Sequence, residues 1–341
     1  MKRKVSQKDI AQKVGVSTAL VSYVLNNLKE GRISKVVAQK IRETAKELNY
    51  RTNQIAKSLK LSKTFTLGLI VADISNPFFS SLARIIEDEA DRKNYTVIFG
   101  SSDENAQKSW KLINTLLDRQ VDGFIIAPAE NTESNIMYLK DHDIPFVLID
   151  RYFPALETNW VAIDNHKAAY TAVQHMIDGG NRRPGMVTFN TTLHNLNERK
   201  RGYMDALKDN GITFEESCCK EILYHDDKSI EKAMEDLLSL PQPVDALLFA
   251  SNILAINGLK YIHAKGIRVP DDLAIVSFDQ TDASDLFYAP LTYLKQPVQE
   301  MAEMATKMLL EHIEQDKQAE IINLEATLVI RNSTLPGMPK K

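Results

Sequence analysis

From residue 65 onward the apolar residues come in short blocks rich in Val, Ile and Phe: FTLGLIVAD, YTVIFGSS, VDGFIIAPA and IPFVLIDR. Between them lie stretches such as PFFSSLARIIEDEADRKN and AQKSWKLINTLLDRQ, whose spacing is helical. Strands alternating with helices predict parallel βαβ units. After WVAIDN the rhythm restarts with GMVTFN, EILYH, DALLFAS and LAIVSFD. Two such runs in series predict two Rossmann-like α/β subdomains. In sheets of this kind ligands sit beyond the carboxyl ends of the strands. Two lobes facing each other form a cleft that closes by hinge motion.

The first sixty residues have a different texture. Ser6 and Asp9 stand at capping-box spacing, and Ile10, Ala11 and Val14 share one helical face. Gly15 breaks that run, because it tolerates backbone angles other residues avoid. Ser17 then caps a second helix in which Val21, Val24 and Leu25 point inward. Thr18, Ala19, Ser22, Tyr23 and Asn26 remain on its outer side. ISKVVAQKIRETAKELNY predicts a third helix, capped by Ser34, with Val37, Ile41, Ala45 and Leu48 as its buried stripe. Two short helices joined by a tight turn and backed by a third form a helix-turn-helix. Such a unit lays its second helix in the major groove of DNA and grips phosphates from its flanks.

Charge strengthens this picture. The 341 residues carry a net charge of −3, but it is unevenly spread. Residues 1–63 hold 15 Lys and Arg against 4 Asp and Glu, a balance of +11; the remainder holds 27 against 41, a balance of −14. A basic head on an acidic body points to a polyanion as the head's partner. Other classes recede. The only cysteines, Cys218 and Cys219, are neighbours and imply no disulfide framework. The basic N-terminus lacks an apolar signal region, and no apolar run approaches 18 residues, so a cytoplasmic protein without a membrane span is expected. There is no Gly-x-Ser-x-Gly, phosphate-binding Gly-x-x-x-x-Gly-Lys or His-Glu-x-x-His, so no enzyme is expected. The seven histidines show no metal-ligand spacing, and no metal or cofactor is expected.

DIAQKVGVSTALVSYVLN resembles the headpiece of the lactose-repressor (LacI) family of bacterial transcription regulators. The continuation LNYRTNQIAKSLK is similar to that family's hinge, where a short helix inserts a leucine into the minor groove at the operator's centre. The resemblance extends to about residue 334 through GLIVADISNPFFSSL, FASNILAINGL, VPDDLAIVSFDQ and LTYLKQPVQEMAEMA. It implies a headpiece over 1–52, a hinge over 53–63 and a periplasmic binding protein-like core of type I. The core divides into one subdomain of 64–163 plus 291–318 and another of 164–290 plus 319–334, with a tail over 335–341. The chain then crosses between lobes near 162–164, 288–292 and 317–321.

The resemblance also implies site residues. Toward DNA they are Ser17, Thr18, Ala19, Ser22, Tyr23 and Asn26 on the headpiece, then Asn53, Leu59 and Lys60, with Leu59 as the apolar wedge that kinks the duplex. Leu20 replaces the family's usual Thr, Tyr23 its usual Arg or His, and the loop NLKEGR is about two residues longer, so the operator sequence is expected to differ. Toward a ligand they are Asn76, Phe78, Phe79, Asp150, Arg151, Arg199, Asn252, Asp279 and Gln296, mostly at strand ends. Arg201 competes with Arg199 for the arginine role, and Ile253 stands where the family usually has Asp. Side chains of this kind take sugar hydroxyls in pairs, and aromatic rings suit the apolar face of a sugar.

The expected protein is a homodimeric regulator, a repressor by resemblance, whose hold on operator DNA is set by a small sugar between the lobes. The alternatives are a corepressed regulator with a purine or phosphorylated effector, for which Arg199, Lys200 and Arg201 would accept the phosphate, and a sugar-binding module with no role on DNA. A tail without heptads implies no tail-mediated tetramer.

Overall fold

The computed structural model describes residues 5–26, 32–50, 63–224, 226–315 and 318–335. The chain falls into two units, Met1–Thr64 and Phe65–Lys341. In the first, helix α1 spans Gln7–Val14, α2 Thr18–Leu25 and α3 Lys35–Glu47. The Ser6 hydroxyl accepts the Asp9 amide at 3.4 Å while the Asp9 carboxylate accepts the Ser6 amide at 2.8 Å, the reciprocal cap expected. Gly15 stands at φ +82°, a left-handed angle that closes α1 and turns the chain into α2. Ser17 accepts the Leu20 amide and caps α2. Ser34 occupies the position before α3, but its hydroxyl makes no cap. Ile10, Ala11, Val21, Val24, Ile41 and Ala45 form the buried core, and Val14, Leu25, Val37 and Leu48 pack around it half-exposed.

In the second unit β1 is Thr66–Val71, α4 Pro77–Arg92, β2 Thr96–Ser101, α5 Ala106–Asp118, β3 Gly123–Ile126, α6 Glu133–Asp141, β4 Phe146–Ile149 and β5 Trp160–Ile163. There follow α7 Asn165–Asp178, β6 Pro184–Phe189, α8 His194–Asp209, β7 Cys219–Ile222, α9 Asp227–Leu238, β8 Ala246–Phe249, α10 Asn252–Lys265 and β9 Ala274–Phe278. The last elements are α11 Asp282–Leu286, β10 Thr292–Lys295, α12 Val298–Glu314, β11 Ile321–Leu324 and β12 Thr327–Val329. One sheet has the order β11-β5-β4-β3-β1-β2 and the other β12-β10-β9-β8-β6-β7. All described pairings are parallel except β10 with β12. Central strands such as β3, β4, β6 and β8 are buried along their whole length, as strands covered by helices on both faces must be.

The sheet order moves two of the three expected crossings. The first stays after β5, where Ile163 ends the first sheet and α7 begins the second lobe. The second was expected at 288–292, but β10 pairs with β9 in the second sheet, so the chain leaves only after Lys295, and α12 then packs on α4 in the first lobe. The third was expected at 317–321, but β11 pairs with β5 in the first sheet, so the final return lies between Leu324 and Thr327. In both places an open sheet edge takes one more strand before the chain turns away. Among the described residues no helix is long and apolar enough to cross a membrane.

One close approach sets the site. A Cβ added at Gly202 on α8 would stand 2.2 Å from the His166 carbonyl oxygen on α7. Only glycine lets the two helices meet there, and Arg199 lies nearly one turn earlier on the same face of α8. Gly202→Ala is expected to cost about 1–3 kcal/mol by overpacking, lowering Tm by several degrees. Differential scanning calorimetry checks this, and an unchanged Tm would show that the contact is not tight.

Candidate functional site

Ser17, Thr18 and Ala19 are exposed at the start of α2. Ser22, Tyr23 and Asn26 are half-buried. Asn26 folds back, its Nδ2 donating to the Ser22 carbonyl at 2.8 Å, so here it closes the helix end. Asn53, Leu59 and Lys60 lie outside the described residues, as do residues 27–31 of the loop NLKEGR.

The body holds a cavity of about 440 Å³ between the lobes, at the carboxyl ends of the strands. Asn76 enters it from the start of α4. Asp150 and Arg151 follow β4, Arg199 comes from α8, Asp279 follows β9 and Gln296 follows β10. Phe78 and Phe79 also line it, yet both rings are packed edge to face inside the first lobe's core and show little surface. Asn252 is the expected residue that does not line the cavity. It is buried behind the wall, where its Nδ2 donates to Asn76 Oδ1 at 2.7 Å and so joins the two lobes.

Arg199 is the centre of the arrangement. Its Nε donates to Asn165 Oδ1 at 2.7 Å, its Nη1 to the Ala250 carbonyl at 2.6 Å, and its guanidinium lies 3.8 Å over the Phe278 ring. Its Nη2 has no hydrogen-bond partner among the described residues. Burial lowers its pKa, against the opposing pull of Asp279 and Asp150. Those two carboxyls occupy corresponding places, each directly after a strand, with φ +66° and +68°. Such angles are uncommon outside glycine and cluster where a side chain must be aimed. Asp279 accepts Gln296 Nε2 at 2.7 Å, and burial raises its pKa against the help of Arg199 and Gln296. Burial pushes the Asp150 carboxyl up to about 6, although Arg151 and Arg199 oppose it; Asp279 and Glu104 add to the rise.

Arg151 is not free for a ligand. Its two terminal nitrogens each bond a Glu104 oxygen at 2.7 Å, with Pro128 O at 3.2 Å from Nη1. Burial disfavours its charge, but Glu104 more than compensates and its pKa is raised. Glu104 was missed by the sequence reading; its only signal was an acid near the end of a strand. Also missed was the wall made by Phe189 and Tyr224, stacked at 3.9 Å and 10°. Leu223, Ile253 and Ile256 extend that apolar side. Arg201 does not reach the cavity; it pairs with Glu198 at 2.7 Å, and Lys200 pairs with Glu221.

Four buried polar atoms around this cavity lack a hydrogen-bond partner among the described residues: Asp150 Oδ1, Arg151 Nε (which stands 3.6 Å from Asp150 Oδ2), Asn252 Oδ1 and Gln296 Oε1. The two amides cannot be reversed. Gln296 must aim its nitrogen at the Asp279 carboxylate, and Asn252 must aim its nitrogen at an Asn76 oxygen that already accepts the Phe78 amide. Three of the four are acceptors, so the unmet need is mainly for hydrogen-bond donors.

The chain matches the family model for bacterial regulatory proteins of the lacI family over residues 6–53, and that of the periplasmic binding protein-like domain over residues 173–334. It is 33% identical to catabolite control protein A of Priestia megaterium over 329 residues, 96% of this chain and 98% of that one. It is 31% identical to the ribose operon repressor of Halalkalibacterium halodurans, over 97% of each chain. In fold it is similar to the lac repressor dimer bound to operator and the anti-inducer ONPF, with a TM-score of 0.86 at 21% identity over 98% of this chain and 100% of that one. The chain belongs to the lacI family of bacterial regulatory proteins.

Proposed function

We propose that this DNA-binding transcriptional regulator is a cytoplasmic repressor, acting as a homodimer, whose operator affinity is controlled by a small uncharged sugar held between its lobes. The observation that carries the reading is the two unpaired buried acceptors on residues that line the cavity, Asp150 Oδ1 and Gln296 Oε1, together with the Nη2 of Arg199, which has no hydrogen-bond partner among the described residues. A buried polar atom left without a partner costs roughly 1–3 kcal/mol, so a ligand that donates several hydrogens is strongly favoured. Adjacent sugar hydroxyls do this, each also accepting where a guanidinium donates.

Charge separates this reading from its rivals. Asp73, Glu104, Asp150, Asp226 and Asp279 line the cavity against Arg151 and Arg199 alone. Glu104 already neutralises Arg151, and Lys200 and Arg201 point elsewhere. A phosphate would enter an acidic site with one partly occupied arginine to meet it. The ribose repressor among the relatives and the operator-bound lac repressor dimer agree with a sugar effector and a dimer on DNA. The exposed start of α2 is the surface to enter the major groove, in a head that carries +11. Sugar binding changes the lobe arrangement and with it the pairing of the heads, and the two affinities are linked reciprocally.

Titration of operator-bound protein with neutral monosaccharides and disaccharides, fructose phosphates and hypoxanthine, at one salt concentration, tests the proposal. A neutral sugar is expected to shift operator affinity. A shift by phosphates or hypoxanthine alone would overturn it. Arg199→Gln is expected to weaken binding of that sugar about 10- to 100-fold, the worth of a charged hydrogen bond, with operator affinity in the sugar's absence unchanged. Isothermal calorimetry and a gel shift measure the two separately.

The sugar's pH dependence follows from Asp150. Hydroxyls donated to the ionised carboxylate lower its pKa on binding, so the complex prefers the deprotonated form. Affinity is expected to be level above pH 7 and to fall as pH drops through about 6, by up to about tenfold per unit for one linked proton. Asp150→Asn should flatten the profile; a flat profile in the unaltered protein would assign the group no part in binding.

A further inference from the structure

The lobes also meet at a place the effector cavity does not include. Glu130, in the loop after β3 of the first lobe, accepts two hydrogen bonds on one carboxylate oxygen. They come from the Thr192 amide at 2.5 Å and the Thr192 hydroxyl at 2.7 Å, in the second lobe. Neither residue lines the cavity. Thr192 lies two positions ahead of α8. The neighbouring Thr191 ties that segment to the helix, its hydroxyl accepting the Leu193 amide and its carbonyl accepting Asn197 Nδ2. The Glu130 carboxylate thus sits at the positive end of the helix that carries Arg199, where a negative charge is favoured.

We propose that Glu130 is a positioning residue for effector binding: by holding Thr192 it keeps the cleft closed over the ligand and fixes the start of α8 without touching the ligand itself. The claim rests on reading the cleft as the effector site. The other direct side-chain bond between the lobes described above, Asn252 to Asn76, is part of the cavity wall, so altering it alters the site. The Glu130–Thr192 contact separates closing from contact. Where only the closed form binds, apparent affinity scales with the closed fraction. Two bonds to a charged acceptor at a partly exposed position correspond to a change of about tenfold in that balance.

The test needs no knowledge of the effector. In full-length protein with Cys218→Ser and Cys219→Ser, nitroxides at Ser134→Cys and Lys208→Cys, both exposed, report the distance between lobes by double electron–electron resonance. Labelled chains are diluted with unlabelled ones so that pairs within one chain dominate. Glu130→Ala is expected to move the distribution to longer and broader distances, with helix content by circular dichroism unchanged. Glu130→Gln keeps an acceptor without the charge and should fall between. Thr192→Val should also fall between, and adding it to Glu130→Ala should change nothing more. A Glu130→Ala distribution that superimposes on the unaltered protein overturns the proposal. Calorimetry with ribose and cellobiose then reads the consequence, about tenfold weaker binding in Glu130→Ala. Failure of every sugar to bind the unaltered protein would remove the effector reading while leaving the lobe-distance result to decide the role of Glu130.

Discussion

A guanidinium almost without water organises the body of this protein. Arg199 is held by Asn165, by the Ala250 carbonyl and by the face of Phe278, and it stands between two buried carboxyls from strands in different sheets. Burying charge is costly unless partners surround it. Here the partners are incomplete: Nη2 of the arginine has no hydrogen-bond partner among the described residues, one buried oxygen of Asp150 is unpaired, and the Asp150 carboxyl is driven up to about 6. A ligand that completes the set draws the two lobes together because its partners come from both.

The same logic explains why so many residues away from the ligand are constrained. Gly202 admits α8 to α7 and thereby sets Arg199 against Asn165. Asn76 lines the cavity, while its one side-chain oxygen caps α4 and receives Asn252 from the other lobe. Glu104 balances Arg151 inside the wall, which removes a cation that would otherwise attract phosphate. The headpiece is physically unlike the body, with a small core of six buried apolar and alanine side chains among the described residues and a strongly basic balance. The Ser6–Asp9 and Ser17 caps add local hydrogen bonds to that core, and the basic balance suits a polyanionic partner.

What could be read from the sequence was what depends on neighbours in the chain. The strand and helix rhythm, the turn at Gly15 and the two caps are local, and each is visible as a period or a residue type. Strand-end residues such as Asp150 and Asp279 were legible because the fold class fixes where ligands sit. The crossings near 288–292 and 317–321 were misplaced, because membership of β10 and β11 depends on which sheet edge is open, a matter of distant pairing. Glu104 was illegible, since its meaning comes from an arginine 47 positions away. Arg199 and Arg201 could not be separated by composition; helical phase and the pairing of Arg201 with Glu198 separate them.

The position of a bound molecule is the most direct test of sugar recognition in this cavity. A crystal structure of the full chain soaked with the neutral sugar that shifts operator affinity should show its hydroxyls within hydrogen-bond distance of Asp150 Oδ1, Gln296 Oε1 and Arg199 Nη2 together. A sugar bound elsewhere, or one lying in the cavity with those three atoms still unpaired, would contradict it.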